Sequence, residues 1–283
     1  MLILATLMYT AALHAGSMAD SILIGDNYRS FYFETNKQKA GASLVFVLHG
    51  SGGSGLQMQE ATRQLAVKQD QENFILVFPN GYKRYWNECR KMANSKANEE
   101  NIDEESFFIA MIDYFQAKHG IDPKKVFVMG TSGGGHMAYK LAMSIPERIK
   151  AITAIIASLP TDDNMDCAHA KKAIPVMIVN GTDDPLNKYE GGMMQSGTFK
   201  MGTVRSTDQT FRYWSQLAGY NGQPSVSRVP DKDSHDGKTI MRYTYKQAGK
   251  PEIVLLKVIG GKHDYPNDID VHVEGWDFFK RQP

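Results

Sequence analysis

Residues 125–142 read KVFVMGTSGGGHMAYKLA, and the turn at their centre decides the fold. A short β-forming run, Val126, Phe127, Val128 and Met129, leads straight into Gly130-Thr131-Ser132-Gly133-Gly134. Residues 135–144 then predict a helix. This is the single G-x-S-x-G of the chain, and it stands in the strand–turn–helix setting the motif requires. Such a tight turn forces the serine backbone into a strained conformation, and small flanking residues let neighbouring backbone approach. The Ser132 hydroxyl is thereby exposed at a helix N-terminus, where the dipole favours a developing negative charge. The plain alternative is a glycine-rich turn with a capping serine; the setting favours a nucleophile.

Working outward, buried runs alternate with helices. Residues 43–48 (SLVFVL), 74–78 (FILVF), 151–157 (AITAIIA), 176–179 (VMIV) and 253–259 (IVLLKVI) predict strands. Residues 57–68, 102–119, 206–218 and 270–280 predict helices. Gly120 suits a C-cap, and Ser206 with Gln209 has the spacing of a capping box. Asp103, Glu104 and Glu105 fall in a first turn, where negative charge is favoured without further explanation. Residues 226–228 and 240–245 are expected to form a hairpin, and residues 79–100 a loop. Continuous apolar strands separated by helices imply an α/β fold: a mostly parallel sheet covered on both faces, with no large cap domain. Residues 20–283 are expected to form a single domain.

In such sheets ligands sit beyond the carboxyl ends of the strands. A serine nucleophile needs a base, the base needs an orienting acid, and in chain order the acid and then the base follow the serine. The run at 176–179 ends in Asn180-Gly181-Thr182-Asp183-Asp184-Pro185, and the run at 253–259 in Gly260-Gly261-Lys262-His263-Asp264. Asp184 is therefore assigned as the acid and His263 as the base, with Asp183 the rival acid. His49, His119, His136, His169, His235 and His272 fit loop, surface or packing positions better than the base.

A second glycine cluster, His49-Gly50-Ser51-Gly52-Gly53-Ser54-Gly55, admits two readings. Gly50, Gly52 and Gly55 match the dinucleotide fingerprint, but the next strand ends in Pro79-Asn80 with no acid for a ribose, and Leu56 stands where a phosphate loop needs lysine. The preferred reading makes the loop an oxyanion donor beside the N–H of Gly133, so that one site explains three loops. No cofactor or metal is then required. A nucleotide-dependent oxidoreductase and a non-catalytic binding protein remain the rival classes. Tyr82, Tyr85 and Trp86 lie in the 79–100 loop, placed either to stack on an aromatic acyl group or sugar or to anchor the loop by packing. Met193 and Met194 suit an adaptable apolar wall or simple core.

Composition narrows the classes further. Among 283 residues, 32 Lys plus Arg against 31 Asp plus Glu leave a net charge of +1, which argues against a dedicated nucleic-acid binder. A content of 42% apolar and 22% charged residues is that of a globular protein. Residues 1–15 (MLILATLMYTAALHA) are too short and interrupted for a stable membrane span. They suit the apolar part of an export signal, with small residues at Ala15, Gly16, Ser17 and Ala19 for cleavage, so residues 1–19 are expected to be a signal or an N-terminal extension of a secreted or periplasmic protein. In that compartment Cys89 and Cys167 would pair; two buried thiols are the alternative.

With these residues in hand, the chain resembles the polyhydroxybutyrate depolymerase-like and feruloyl esterase group of α/β hydrolases from about Arg29 to its end. The resemblance is carried by LHGSGGSG at Leu48, FPNGYKRYWN at Phe78, IDPKKVFVMGTSGGGHMAYKLA at Ile121, VNGTDDPLNKYEGG at Val179 and IGGKHDYP at Ile259. It implies a Ser132–Asp184–His263 triad, with Ser51 as an oxyanion donor. Lys262 and Tyr265 depart from the glycine and tryptophan usual in that group, and Gly133 from its usual Asn or Ala. The expected activity is hydrolysis of carboxylic esters through an acyl-enzyme, on small or polysaccharide-linked feruloyl or acetyl esters. Polyhydroxyalkanoate oligomers and peptides are the alternative substrates.

Overall fold

On the strand Ser43–Leu48, Leu44, Phe46 and Leu48 face one hydrophobic layer and Val45 and Val47 the other, and all five are fully buried. A strand wetted on neither face belongs inside a sheet with helices on both sides. The computed structural model describes residues 17–35, 40–69 and 71–283. In chain order its elements begin β1 (Ser17–Ile24), β2 (Asn27–Glu34), β3 (Ser43–Leu48), α1 (Gly55–Ala61), α2 (Arg63–Gln69), β4 (Phe74–Pro79), α3 (Lys96–Glu99) and α4 (Glu104–His119). They continue β5 (Val126–Thr131), α5 (Gly133–Ser144), β6 (Ala151–Ile155), β7 (Val176–Gly181), β8 (Gly192–Ser196), β9 (Phe199–Val204) and α6 (Thr207–Leu217). The chain closes with β10 (Ser225–Arg228), β11 (Thr239–Tyr245), β12 (Ile253–Ile259) and α7 (Val271–Phe279).

Among the described residues ten strands form one sheet, ordered β1-β2-β4-β3-β5-β6-β7-β12-β11-β10. The strands from β4 to β12 in that order run parallel, and antiparallel strands close both edges. Helices α4, α5 and α6 cover one face through Phe107, Met111, Leu141 and Trp214. Helices α1, α2 and α7 cover the other through Met58, Leu65, Trp276 and Phe279. The chain steps outward from β3 to β4 and returns to β5 beside β3, so the loops after β3 and β5 meet at the switch point where an α/β sheet binds its ligand. No helix among the described residues is long and apolar enough to cross a membrane.

Several expectations are corrected. The helix at 57–68 is two helices, because the Thr62 hydroxyl bonds back to Met58 O at 2.9 Å and its N–H turns to Gln59 O. The signal or extension expected at residues 1–19 lies outside the described residues as far as residue 16, and Ser17 to Ala19 belong to β1, Ser17 pairing with Glu34 of β2. Strands β1 and β2, and the separate hairpin β8–β9, were not anticipated. Residues 79–100 are no bare loop. They contain α3, bury Trp86 through Arg90, and are tied to the segment after β6 by a Cys89–Cys167 disulfide, with Lys91 N–H donating to Asn164 O at 2.8 Å and Asp166 N–H to Cys89 O at 2.9 Å. Glu104 does more than complement a helix dipole. Its buried carboxylate meets Arg29 of β2 at 2.8 Å and accepts the Asn87 N–H at 3.1 Å.

Candidate active site

Ser132 joins β5 to α5 at φ 53°, ψ −116°, a positive φ that a non-glycine residue holds only under constraint. The constraint is steric and hydrogen-bonded. Ser132 N–H donates to Ile155 O at 2.8 Å, and His136 N–H to Ser132 O at 3.0 Å. A methyl carbon on Gly130 would lie 2.1 Å from Gly134 O, and one on Gly134 2.5 Å from Leu48 O. The glycines of the motif are thus the price of packing β5, α5 and β3 around one bend.

The other two loops bring their side chains to this hydroxyl. His263, beyond β12, has Nε2 3.0 Å from Ser132 Oγ and Nδ1 2.7 Å from Asp184 Oδ2. Asp184, beyond β7, has a fully buried side chain, and its Oδ1 accepts the N–H groups of Leu186 and Asn187, each at 2.8 Å. A carboxylate acceptor at Nδ1 puts the imidazole proton there and leaves Nε2 free to accept from the serine. Asp183, the rival acid, is exposed and receives the Thr182 hydroxyl at 2.7 Å, so its carboxylate points away from the imidazole.

The loop after β3 closes the site. A methyl carbon on Gly133 would stand 2.5 Å from Ser51 Oγ and 2.9 Å from Ser51 N, and one on Gly50 3.5 Å from Ser132 Cβ. The N–H groups of Ser51 and Gly133 are therefore neighbours beside Ser132, and Gly133, at the start of α5, has no acceptor within its helix. Gly52 and Gly53 N–H groups are used within the fold, bonding Arg84 O and Gly50 O at 2.9 Å each.

His49 sets the shape of that loop. Its Nδ1–H donates to Gly50 O at 2.7 Å and its Nε2 accepts the Gly81 N–H at 2.9 Å, a pattern only the neutral ring can make. Burial drives its pKa down to about 4, with nearby Arg84 adding to the fall against the pull of the Gly50 carbonyl. His136, buried one helical turn beyond Ser132, is held neutral chiefly by burial and next by Arg90.

Trp86 is corrected. It is 3% exposed, packs on the His49 ring with centroids 4.8 Å apart, and donates Nε1–H to His49 O at 2.9 Å. It anchors the loop and offers no face to a ligand. Tyr82 is tied outward, its hydroxyl donating to Glu100 at 2.7 Å. Tyr85 stays beside the loop after β3, its hydroxyl 3.9 Å from where a Gly52 methyl would be and its ring 5.3 Å from Phe199 of β9. Met194 is core, whereas Met193 is 55% exposed. Sequence reasoning missed one bond at the site. Tyr265, two residues past His263, has its hydroxyl 2.7 Å from Thr131 Oγ1, which fastens the loop of His263 to the strand that leads into Ser132. The tyrosine standing where a tryptophan was expected was the available signal.

Comparison with known proteins identifies the family and the fold. The sequence profile of a family described as phospholipase/carboxylesterase matches residues 31–213. The chain is 25% identical over 260 residues to a feruloyl esterase B of Neurospora crassa, covering 83% of this chain and 88% of that one. It is 27% identical over 128 residues to an acetylxylan esterase of Coprinopsis cinerea, covering 44% of this chain and 33% of the relative. A solved acetyl xylan esterase from Aspergillus awamori superposes with a TM-score of 0.61 at 16% identity, over 93% of this chain and 99% of that one, and shares the fold.

Proposed function

From the premise that this chain belongs to the phospholipase/carboxylesterase family and hydrolyses carboxylic esters, we propose that Ser132, His263 and Asp184 carry the reaction on feruloyl or acetyl esters of plant polysaccharide. The observation that carries the assignment is the continuous hydrogen-bonded relay, 3.0 Å from Ser132 to His263 and 2.7 Å from His263 to Asp184. The substrate class is supported by the feruloyl and acetylxylan esterases to which the chain is similar.

In the first half-reaction Ser132 Oγ bonds to the ester carbonyl carbon while its proton passes to His263 Nε2. Asp184 holds the imidazole orientation and stabilises its cation. The carbonyl oxygen, now negative, accepts the N–H groups of Ser51 and Gly133, each such donor lowering the barrier by about 3 kcal/mol. Collapse breaks the bond to the alcohol oxygen, which leaves with the proton from His263, and the acyl group stays on Ser132. Water then attacks the acyl carbon, giving its proton to His263, and the carboxylic acid departs as Ser132 recovers its proton. The Cys89–Cys167 disulfide and the apolar residues 1–15 support action outside the cytoplasm.

The test is a panel of methyl ferulate, acetylated xylan, hydroxybutyrate oligomers and a peptide amide, read with wild type and Ser132→Ala. Turnover of the first two, abolished in the variant, is expected. Turnover confined to hydroxybutyrate oligomers or to the peptide overturns the substrate reading, and a fully active Ser132→Ala overturns the triad.

A further inference from the structure

Away from Ser132, a groove of about 500 Å³ runs between α6 and strands β11 and β12. Five aromatic side chains line it: Tyr189, Phe211, Tyr220, Tyr243 and Tyr245. Tyr245 stacks on both Phe211 and Tyr220, with centroids 5.4 Å and 4.9 Å away. Phe211, Tyr220 and Tyr189 are buried and back the groove, while the half-buried Tyr243 and Tyr245 are the rings within reach of an occupant. Past the Tyr220–Tyr245 pair a second hollow of about 380 Å³ continues the path. The larger hollow is within the size range of ligand sites, and the pair together suits an extended occupant more than a compact one.

We propose that this groove binds a glycan, the sugar chain that carries the ester; the inference rests on the reading of the enzyme as a polysaccharide esterase. A pyranose ring presents a flat C–H face and a rim of hydroxyls, each both donor and acceptor. The matching surface needs aromatic faces bordered by groups that also donate and accept. Tyrosine supplies an apolar ring and a hydroxyl together. Exposed Gln216, Asn221 and Gln223 add amides, each with two donors and an acceptor. The charges do not suit a polyanion. Lys257 lies 4.4 Å over the Tyr189 ring beside Asp208, which accepts the Tyr189 hydroxyl at 2.7 Å. In the second hollow Lys246 meets Glu252 at 3.6 Å and Lys250 donates to Gly219 O at 2.7 Å, so the lysines are engaged within the fold and exposed Arg212 remains. A neutral sugar chain fits that balance.

Position supports the same occupant. Tyr189 follows Asp184 in the loop beyond β7, and Lys257 pairs in register with Asn180 near the end of that strand. One end of the groove therefore opens toward the sheet edge that carries Ser132, and Tyr243 and Tyr245, paired with Leu255 and Ile253, lead down the flank from it. A chain lying there would present its ester substituents near the nucleophile while its backbone is held elsewhere.

Two measurements test this. The first titrates Ser132→Ala with unesterified xylohexaose and follows backbone amide resonances, with no turnover involved. Shifts at Tyr220, Gln223 and Tyr243 are expected; saturating sugar with no shift in these residues overturns the proposal, whatever ester the enzyme hydrolyses. The second compares Arg212→Ala/Gln223→Ala, which truncates exposed side chains only, and Tyr243→Ala with wild type on feruloylated xylan and on methyl ferulate. The expectation is a rise of about tenfold in KM on the polymer with kcat retained and methyl ferulate unaffected, the mark of lost uniform binding. Equal losses on both substrates, or none on either, contradict it. Wild type inert toward both esters would sink the esterase reading instead and leave the titration to decide the groove.

Discussion

Replacing Asp184 with asparagine changes one atom, and the structure dictates which way the new amide must face. Oδ1 accepts two backbone N–H groups, from Leu186 and Asn187, at 2.8 Å each. An NH2 group there would meet two donors, so the amide oxygen keeps that place and the nitrogen takes the position of Oδ2, 2.7 Å from His263 Nδ1. The imidazole must then accept at Nδ1 and carry its proton on Nε2, which points at Ser132 Oγ from 3.0 Å. A hydroxyl facing an N–H has no base. The loss expected from a wrong tautomer is about 10⁴-fold in kcat, near 5.5 kcal/mol of barrier, with KM little changed. Because both backbone bonds survive, the midpoint of thermal unfolding should move by no more than about 2 °C. Initial rates on methyl ferulate, with purified wild type, Asp184→Asn and Asp183→Asn at one pH, give the readout. A kcat for Asp184→Asn within tenfold of wild type, or a larger loss in Asp183→Asn, would refute the reasoning.

Arg29→Ala strands the fully buried Glu104 carboxylate, whose pKa burial already pushes up against the pull of Arg29, so a loss of about 3–5 kcal/mol is expected by urea unfolding; a loss below 1 kcal/mol would contradict the pairing. The Cys89–Cys167 bridge spans 78 residues, for which the chain-entropy model gives about 4.5 kcal/mol; the paired Cys89→Ser/Cys167→Ser variant should lose about 2–4 kcal/mol, and unchanged stability would mean the bridge restrains nothing. His49 ordinarily titrates at 6.5 and is lowered to about 4 in the fold, so between those values the unfolded chain binds the proton first. Its contribution is complete above pH 6.5 and falls by about 3 kcal/mol on acidification to pH 4; stability measured at pH 7, 5.5 and 4.5 should decline less steeply in His49→Gln, and parallel declines would refute this origin.

The parts of this fold legible in the sequence were those fixed by short-range sterics. Gly130-Thr131-Ser132-Gly133-Gly134 could be read because a bend that tight tolerates few residues, and the loops of Asp184 and His263 followed because each ends a mainly apolar strand. What escaped depended on partners distant in the chain. Strand β1 alternates exposed and half-buried positions, so its pairing with β2 leaves little trace in hydrophobicity. Glu104 looked like a dipole residue because Arg29 lies 75 positions away. Trp86 was ambiguous for the same reason: the same ring serves a ligand or a core, and only the packing of His49 against it decides. Tyr265 revealed its role only once β5 and the loop after β12 were side by side.

The proposed reaction requires Ser132 to be the activated nucleophile. Intact-mass spectrometry after exposure to a fluorophosphonate tests that directly, with wild type and Ser132→Ala treated side by side and the adduct located by peptide mapping. One phosphonyl group per chain on the peptide containing Ser132, and none on the variant, is the predicted result. An unlabelled wild type, or equal labelling of the variant, would contradict it.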